Sequence, residues 1–310
     1  MLPDFFLIGA PKAGTTALAA YLAERPDVFV CEPKEPQYFT FDFPGHRGVH
    51  RQDEYEALFD RAGPAVRARG DASVWYLYSR AAIPEIARLR PDARLIALLR
   101  RPDEMVVSLY AQQRQTGIET APDFRTAWRL EPGRQAGHAI PLGCRTPEFL
   151  HYRAVARYAE QLRRVFPHFP KERVKIFLYE DLCRDPGRVY AETLAFLGLA
   201  PDGRRDFPVL NPYADVRSPR LQTGLTWLLG HAREVNRRVQ GRLGLDLRRV
   251  RIHQPVIETL QRLNLDPGAR RPTLDPMLRG EIIEAYAEDI RDLMALTGRD
   301  LSHWLETGSA

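Results

Sequence analysis

The stretch Gly9-Ala10-Pro11-Lys12-Ala13-Gly14-Thr15-Thr16 puts one lysine inside a glycine-rich turn and two hydroxyls at its exit. Main-chain N–H groups laid open by such a turn, backed by a helix N-terminus, form a site for phosphate or sulfate. The spacing from Gly9 to Gly14 satisfies the first half of the triphosphate loop G-x-x-x-x-G-K-[ST], but Thr15 stands where that loop keeps its lysine. A kinase or ATPase uses that lysine and Mg²⁺ to neutralise several phosphate charges. A sulfuryl group in transfer carries less charge. Lys12 and the amides of Ala13, Gly14, Thr15 and Thr16 suffice to hold its donor without metal. Two further groups bear on the same chemistry. Arg100 ends an apolar run and Ser108 follows two turns into the next helical pattern, so a planar guanidinium and a hydroxyl can converge on one phosphate. The competing role for Arg100 is a pair with a local carboxylate. Glu35 lies between Pro33 and Pro36 on chain that cannot continue a helix. A carboxylate held on extended chain near an anion loop is a candidate general base, with Glu32 as the fallback.

These groups need a scaffold, and the pattern supplies one. Asp4–Ile8 is apolar enough for a buried strand, and Thr15–Leu22 reads as the helix behind the turn. Further strands are expected near 28–31, 66–71, 94–100 and 173–179, which together predict an α/β fold: three layers, α/β/α, around a central parallel sheet. Ligands then sit at the C-terminal edge of the strands. Helices are expected over 52–60, Asp123–Leu130, Arg145–Phe166 and 275–304, with another opening at Asp185-Pro186 and closing at Gly198. Pro102 with Asp103 and Glu104 marks the start of the helix that carries Ser108. Residues 117–147 are rich in glycine and proline and read as a loop-rich insertion over the active site. From about 200 onward the chain is helical and basic.

The chain of 310 residues is read as a single domain over 1–310, able to bury a sizeable core. A net charge of +5 suits an anionic ligand and is too mild to argue for nucleic acid. Lysine occurs only at Lys12, Lys34, Lys171 and Lys175. Cys31, Cys144 and Cys183 are far apart and form no C-x-x-C pair, so neither a zinc site nor a disulfide framework is expected. With no signal-like or membrane-spanning apolar run, a cytoplasmic location is expected. Contact of the basic segment 217–251 with a membrane surface is a minor option, beside a loop in which Arg217 or Arg220 closes over the cofactor.

Pro11-Lys12-Ala13-Gly14-Thr15-Thr16-Ala17-Leu18 resembles the 5′-phosphosulfate loop of sulfotransferases that use 3′-phosphoadenosine 5′-phosphosulfate (PAPS). The likeness is nearer to the heparan-sulfate type and its bacterial relatives than to the cytosolic type. Lys34-Glu35-Pro36-Gln37-Tyr38-Phe39 is similar to the Lys-Glu-x-x-Phe-Phe segment of the glycan enzymes, which implies Glu35 as the catalytic base. Arg100 with Ser108 matches the family's 3′-phosphate motif. Two departures stand out: Thr40 replaces an acidic residue after the aromatics, and Ala72 replaces a lysine in Gly70-Asp71-Ala72-Ser73. The resemblance implies sulfuryl transfer from PAPS to a hydroxyl of a glycan, glycolipid or small natural product. A P-loop-like nucleotide kinase and a non-catalytic nucleotide-binding scaffold are the rival readings, and a histidine base is the rival within the family.

Overall fold

A computed structural model describes residues 1–209, 215–218, 221–226, 259–260, 263–266 and 274–307. The described chain divides into two compact units. The first comprises Met1–Val106, Arg153–Leu210 and Asp275–Ala310; the second comprises Val107–Tyr152 and Asn211–Leu274.

The first unit is built on strands β1 (Phe5–Gly9), β2 (Val28–Val30), β3 (Ala68–Asp71), β4 (Arg94–Leu99) and β5 (Val174–Leu178). They form one sheet in the order β2-β3-β1-β4-β5, parallel at every pairing. Helices flank it, as the α/β expectation required. Phe5, Phe6, Leu7 and Ile8 are wholly buried because β1 is the central strand and is covered on both faces. Each such side chain stabilises the fold by about 1.5–3 kcal/mol. The chain leaves β1 toward β2 on one side and leaves β4 toward β5 on the other. The crevice between the ends of β1 and β4 is therefore the topological switch point, where doubly wound sheets bind ligands. Ala10 N–H bonds the Leu98 carbonyl at 2.6 Å and fixes the mouth of that crevice.

Helix α1 (Thr15–Ala23) follows β1, α2 (Gln52–Ala57) precedes β3, and α3 (Ala82–Leu89) leads to β4. Helix α4 (Pro102–Gln115) begins in the first unit and continues into the second. The expected helix over 123–130 is longer: α5 runs Phe124–Gln135, opened by Asp123 accepting from Thr126 N–H at 2.7 Å. Its extra turns carry Arg134 to Glu119, where two 2.7 Å bonds join side chains that are almost wholly buried. Tyr152 Oη donates to the same carboxylate at 2.8 Å. The insertion thus has a polar core of its own.

The single helix expected over Arg145–Phe166 is broken. It comprises a 3₁₀ turn (Pro147–Leu150), α6 (Tyr152–Val155) and α7 (Tyr158–Val165). One distant and one nearby side chain satisfy the ends at the break. The Asp289 carboxylate accepts from Ala159 and Glu160 N–H, and the Gln161 amide donates to the carbonyls of Ala154 and Val155. Helix α8 (Tyr179–Arg184) follows β5. Helix α9 (Pro186–Leu197) has the anticipated caps, with the Asp185 side chain at its start and Gly198 in the left-handed region at its end. A last helix spans Pro276–Thr297. In the second unit a short antiparallel pair joins 215–216 to 265–266, and 221–226 is helical. Arg217 N–H donates to the Asn264 carbonyl. Arg220 and the basic run 233–251 lie outside the described residues. No helix among the described residues is long and apolar enough to cross a membrane.

Candidate active site

The phosphate loop owes its shape to the backbone. Gly9 has φ +155° and Gly14 φ +89°, while Lys12 between them sits at φ +61°. A Cβ on Gly14 would lie 2.6 Å from Leu182 Cδ2 and 3.2 Å from Tyr179 Cδ2, so α8 is packed too close for any other residue. Gly14 is also the N-cap of α1, where no side chain caps the helix and no acidic residue stands in the first turn. That leaves the positive end of α1 to an anion. The amides at the start of α1 and the Thr15 and Thr16 hydroxyls are donors of the kind a phosphate or sulfate group takes, and the first turn holds no carboxylate.

Arg100, at the end of β4, is 6% exposed and is held from three sides. Its Nη1 donates to the Lys12 carbonyl at 3.3 Å, and Nε and Nη2 donate to Glu104 at 3.0 and 2.8 Å. Its guanidinium lies 4.5 Å from the Tyr179 ring centroid. The local carboxylate pair that the sequence allows is therefore present. It uses donors on one side of a five-donor fork and leaves capacity for a phosphate. Tyr179 packs against both Gly14 and Arg100, so α8 braces the loop and the guanidinium together. The C-terminal segment braces α8 in turn, through Arg299 to Asp181 at 2.8 Å and His303 to Glu180 at 2.9 Å. Ser108 lies on α4 within the second unit.

Glu35 lies beside α1 because Lys34 bridges them: its Nζ donates to Thr16 Oγ1 at 3.1 Å and to Glu35 Oε1 at 3.0 Å. The other oxygen, Oε2, accepts from Gln37 Nε2 at 3.1 Å. Glu32, by contrast, is 80% exposed at its side chain and sits 3.8 Å from Arg61. Tyr38 and Phe39 anchor the segment. Tyr38 stacks on Tyr55 at 4.5 Å, and Phe39 meets Phe6, Tyr55 and Tyr76 edge-on. Thr40 is buried and its hydroxyl donates to the Gln37 carbonyl, so here it holds the turn.

Beneath the segment lies Asp71, wholly buried at the end of β3. Its Oδ1 accepts from Ser73 Oγ at 2.6 Å and its Oδ2 from the hydroxyls of Tyr55 and Tyr76 at 2.8 Å. Burial pushes its carboxyl up to about 6, against the pull of these three hydroxyls, and the Glu35 charge adds to the rise. Asp71 and Ser73 are thus scaffold. Among the histidines, His46 feels the Glu35 charge. The protein packed around its ring nitrogens lowers its pKa and Glu35 opposes that, although the side chain keeps a solvent-exposed edge. Its ring meets Trp75 edge-on at 6.4 Å. Among the described residues no cluster of His, Cys, Asp and Glu could hold a metal ion.

Sequence reasoning passed over Lys34, Gln37 and Tyr179. A signal for Lys34 existed, since it is one of only four lysines and neighbours the candidate base. Tyr179 carries none, because its partners come from other elements, and Gln37 none for the aim of its amide, because Ser73 sets its backbone.

A family model described as "Sulfotransferase domain" matches residues 2–207. Human bifunctional heparan sulfate N-deacetylase/N-sulfotransferase 3 is 27% identical over 205 residues, covering 64% of this chain and 23% of that protein. Human heparan sulfate glucosamine 3-O-sulfotransferase 6 is 29% identical over 202 residues, covering 64% of this chain and 52% of that protein. The chain thus spans under a quarter of the first relative's length and about half of the second's. A crystal structure of a sulfotransferase from Alicyclobacillus acidocaldarius superposes over 99% of this chain and 100% of its own, with a TM-score of 0.69 and 28% identity. With a glycine-rich loop at the switch point of a parallel sheet and two thirds of its length matched, the chain belongs to the sulfotransferase-domain family.

Proposed function

We propose that the enzyme moves a sulfuryl group from PAPS to a hydroxyl of a glycan, glycolipid or small-molecule acceptor, releasing adenosine 3′,5′-bisphosphate. The observation that carries this is the Thr16–Lys34–Glu35 bridge, which ties a carboxylate to the first turn of the phosphate-loop helix. Glu35 takes the acceptor's proton as the acceptor oxygen bonds to sulfur. The bond from sulfur to the bridging oxygen breaks, and its electron pair stays on the departing phosphate. Lys12 and the loop amides stabilise that growing charge. Arg100 and Ser108 hold the 3′-phosphate. Relatives named for N- and for 3-O-sulfotransfer of heparan sulfate support a glycan acceptor; Ala72 and Thr40 argue against copying that acceptor outright. The insertion at 117–147 is where acceptor selectivity is carried.

The test has two arms. Adenosine 3′,5′-bisphosphate should raise the melting temperature well above what adenosine 5′-monophosphate does, since the monophosphate lacks the 3′-phosphate, and Arg100→Ala should erase the difference. Radiolabelled PAPS incubated with a library of hydroxylated acceptors should give labelled product, undiminished by EDTA. Equal thermal shifts from the two nucleotides would remove the 3′-phosphate assignment. Activity restored only by Mg²⁺ would count against metal-free transfer.

A further inference from the structure

Gln37 has features that the proposed reaction leaves without a role. It is 1% exposed and takes φ +51°, a left-handed conformation that a residue with a Cβ adopts only where its surroundings impose it. Those surroundings are explicit. Its N–H donates to Ser73 Oγ at 3.1 Å, its carbonyl accepts from Thr40 Oγ1 at 2.9 Å, and Ser73 in turn is held by Asp71. The side chain then presents Nε2 to Glu35 Oε2, while its own Oε1 is buried and accepts from no donor among the described residues. A buried amide with an unpartnered oxygen is an expensive way to fill space. An apolar side chain of equal volume would pack there without that cost. What the amide alone provides is an N–H aimed at the carboxylate.

We infer that Gln37 is the positioning residue of Glu35, its amide fixing the plane of the carboxylate from the buried Ser73–Asp71 scaffold. This rests on the reading of Glu35 as the base. Lys34 holds Oε1 and Gln37 holds Oε2, so each oxygen keeps a lone pair for the acceptor's proton while the carboxylate cannot rotate. Lys34 alone would leave it swinging about its side-chain torsions, because a flexible ammonium is a point charge and sets no plane.

The test is a double-mutant cycle on the full chain, with turnover from PAPS as the readout and melting temperature and adenosine 3′,5′-bisphosphate binding as controls. Gln37→Met keeps the volume and removes the donor. It should lower kcat roughly tenfold to a hundredfold, as misplacement of a reacting group does, with KM for PAPS unchanged. In the Glu35→Gln background, Gln37→Met should cost nothing further, because there is no carboxylate left to position. Should Gln37→Met fail to fold, Gln37→Leu removes the donor with a similar apolar volume and runs through the same cycle. An equal loss from the Gln37 change in both backgrounds, or a loss confined to KM, overturns the inference. Full activity of Glu35→Gln by itself overturns the base assignment instead, so the two failures are told apart.

Discussion

The donor loop and the base segment lie side by side in the first unit and are shaped by opposite means. Residues 9–14 take their form from main-chain torsions, with positive φ at Gly9, Lys12 and Gly14. Residues 31–40 contain no helix or strand and are held by side chains: Tyr38 and Phe39 in an aromatic cluster, Gln37 on Ser73, and Glu35 on Lys34. The difference suits the roles proposed for each. A phosphosulfate is met by many amides at once, so a rigid backbone cradle serves it. A base needs one carboxylate in one orientation, and side-chain contacts from several elements give that aim.

Breaking each side should give different signatures. The largest effect is expected from Glu35→Gln, which keeps size but cannot take the proton: turnover should fall roughly 10²–10⁴-fold. Calorimetric affinity for adenosine 3′,5′-bisphosphate should barely move. Glu32→Gln should leave turnover near normal; the reverse pattern would transfer the role to Glu32. If neither matters, His46 beside Glu35 is the next base to test. On the donor side, Lys12→Ala should cost turnover on the order of 10²–10³-fold and weaken nucleotide affinity as well. A Lys12→Ala enzyme that binds nucleotide normally would dissolve the contrast.

Asp71, beneath the segment that carries Glu35, makes stability depend on pH. Its carboxyl is raised to about 6 in the fold from an ordinary 3.8, so the folded state holds this proton more tightly than the unfolded chain. Its contribution to stability is therefore greatest below about pH 4, declines as pH rises through about 6 and is flat above, a total of about 3 kcal/mol. Urea denaturation across that window should show the decline, and Asp71→Asn should remove it. A slope of equal size in the variant would mean that other groups cause it. The smallest effect on stability belongs to the loop: Gly14→Ala meets Leu182 and keeps an unfavourable φ, and should cost about 1–3 kcal/mol. It should also abolish the thermal shift produced by adenosine 3′,5′-bisphosphate.

The sheet, the glycine-rich turn and the caps of α9 are legible in the sequence because each is written in neighbouring positions, and Lys12, Glu35 and Arg100 stand out there as candidates. Apolar runs bury on both faces, glycines permit positive φ, and Asp185-Pro186 with Gly198 brackets a helix. The rest depends on packing. The helical pattern across Arg145–Phe166 is broken where Asp289, from the last helix, and Gln161, from within the segment, satisfy the freed backbone groups. The insertion is ordered by Glu119, Arg134 and Tyr152, whose mutual bonds span 15 and 33 positions. Asp71 serves as scaffold because three hydroxyls from other positions surround it, and Gln37 aims at Glu35 because Ser73 holds its backbone. Local pattern records what a residue does to its own backbone. Which side chains meet across the fold is settled only when the elements carrying them pack.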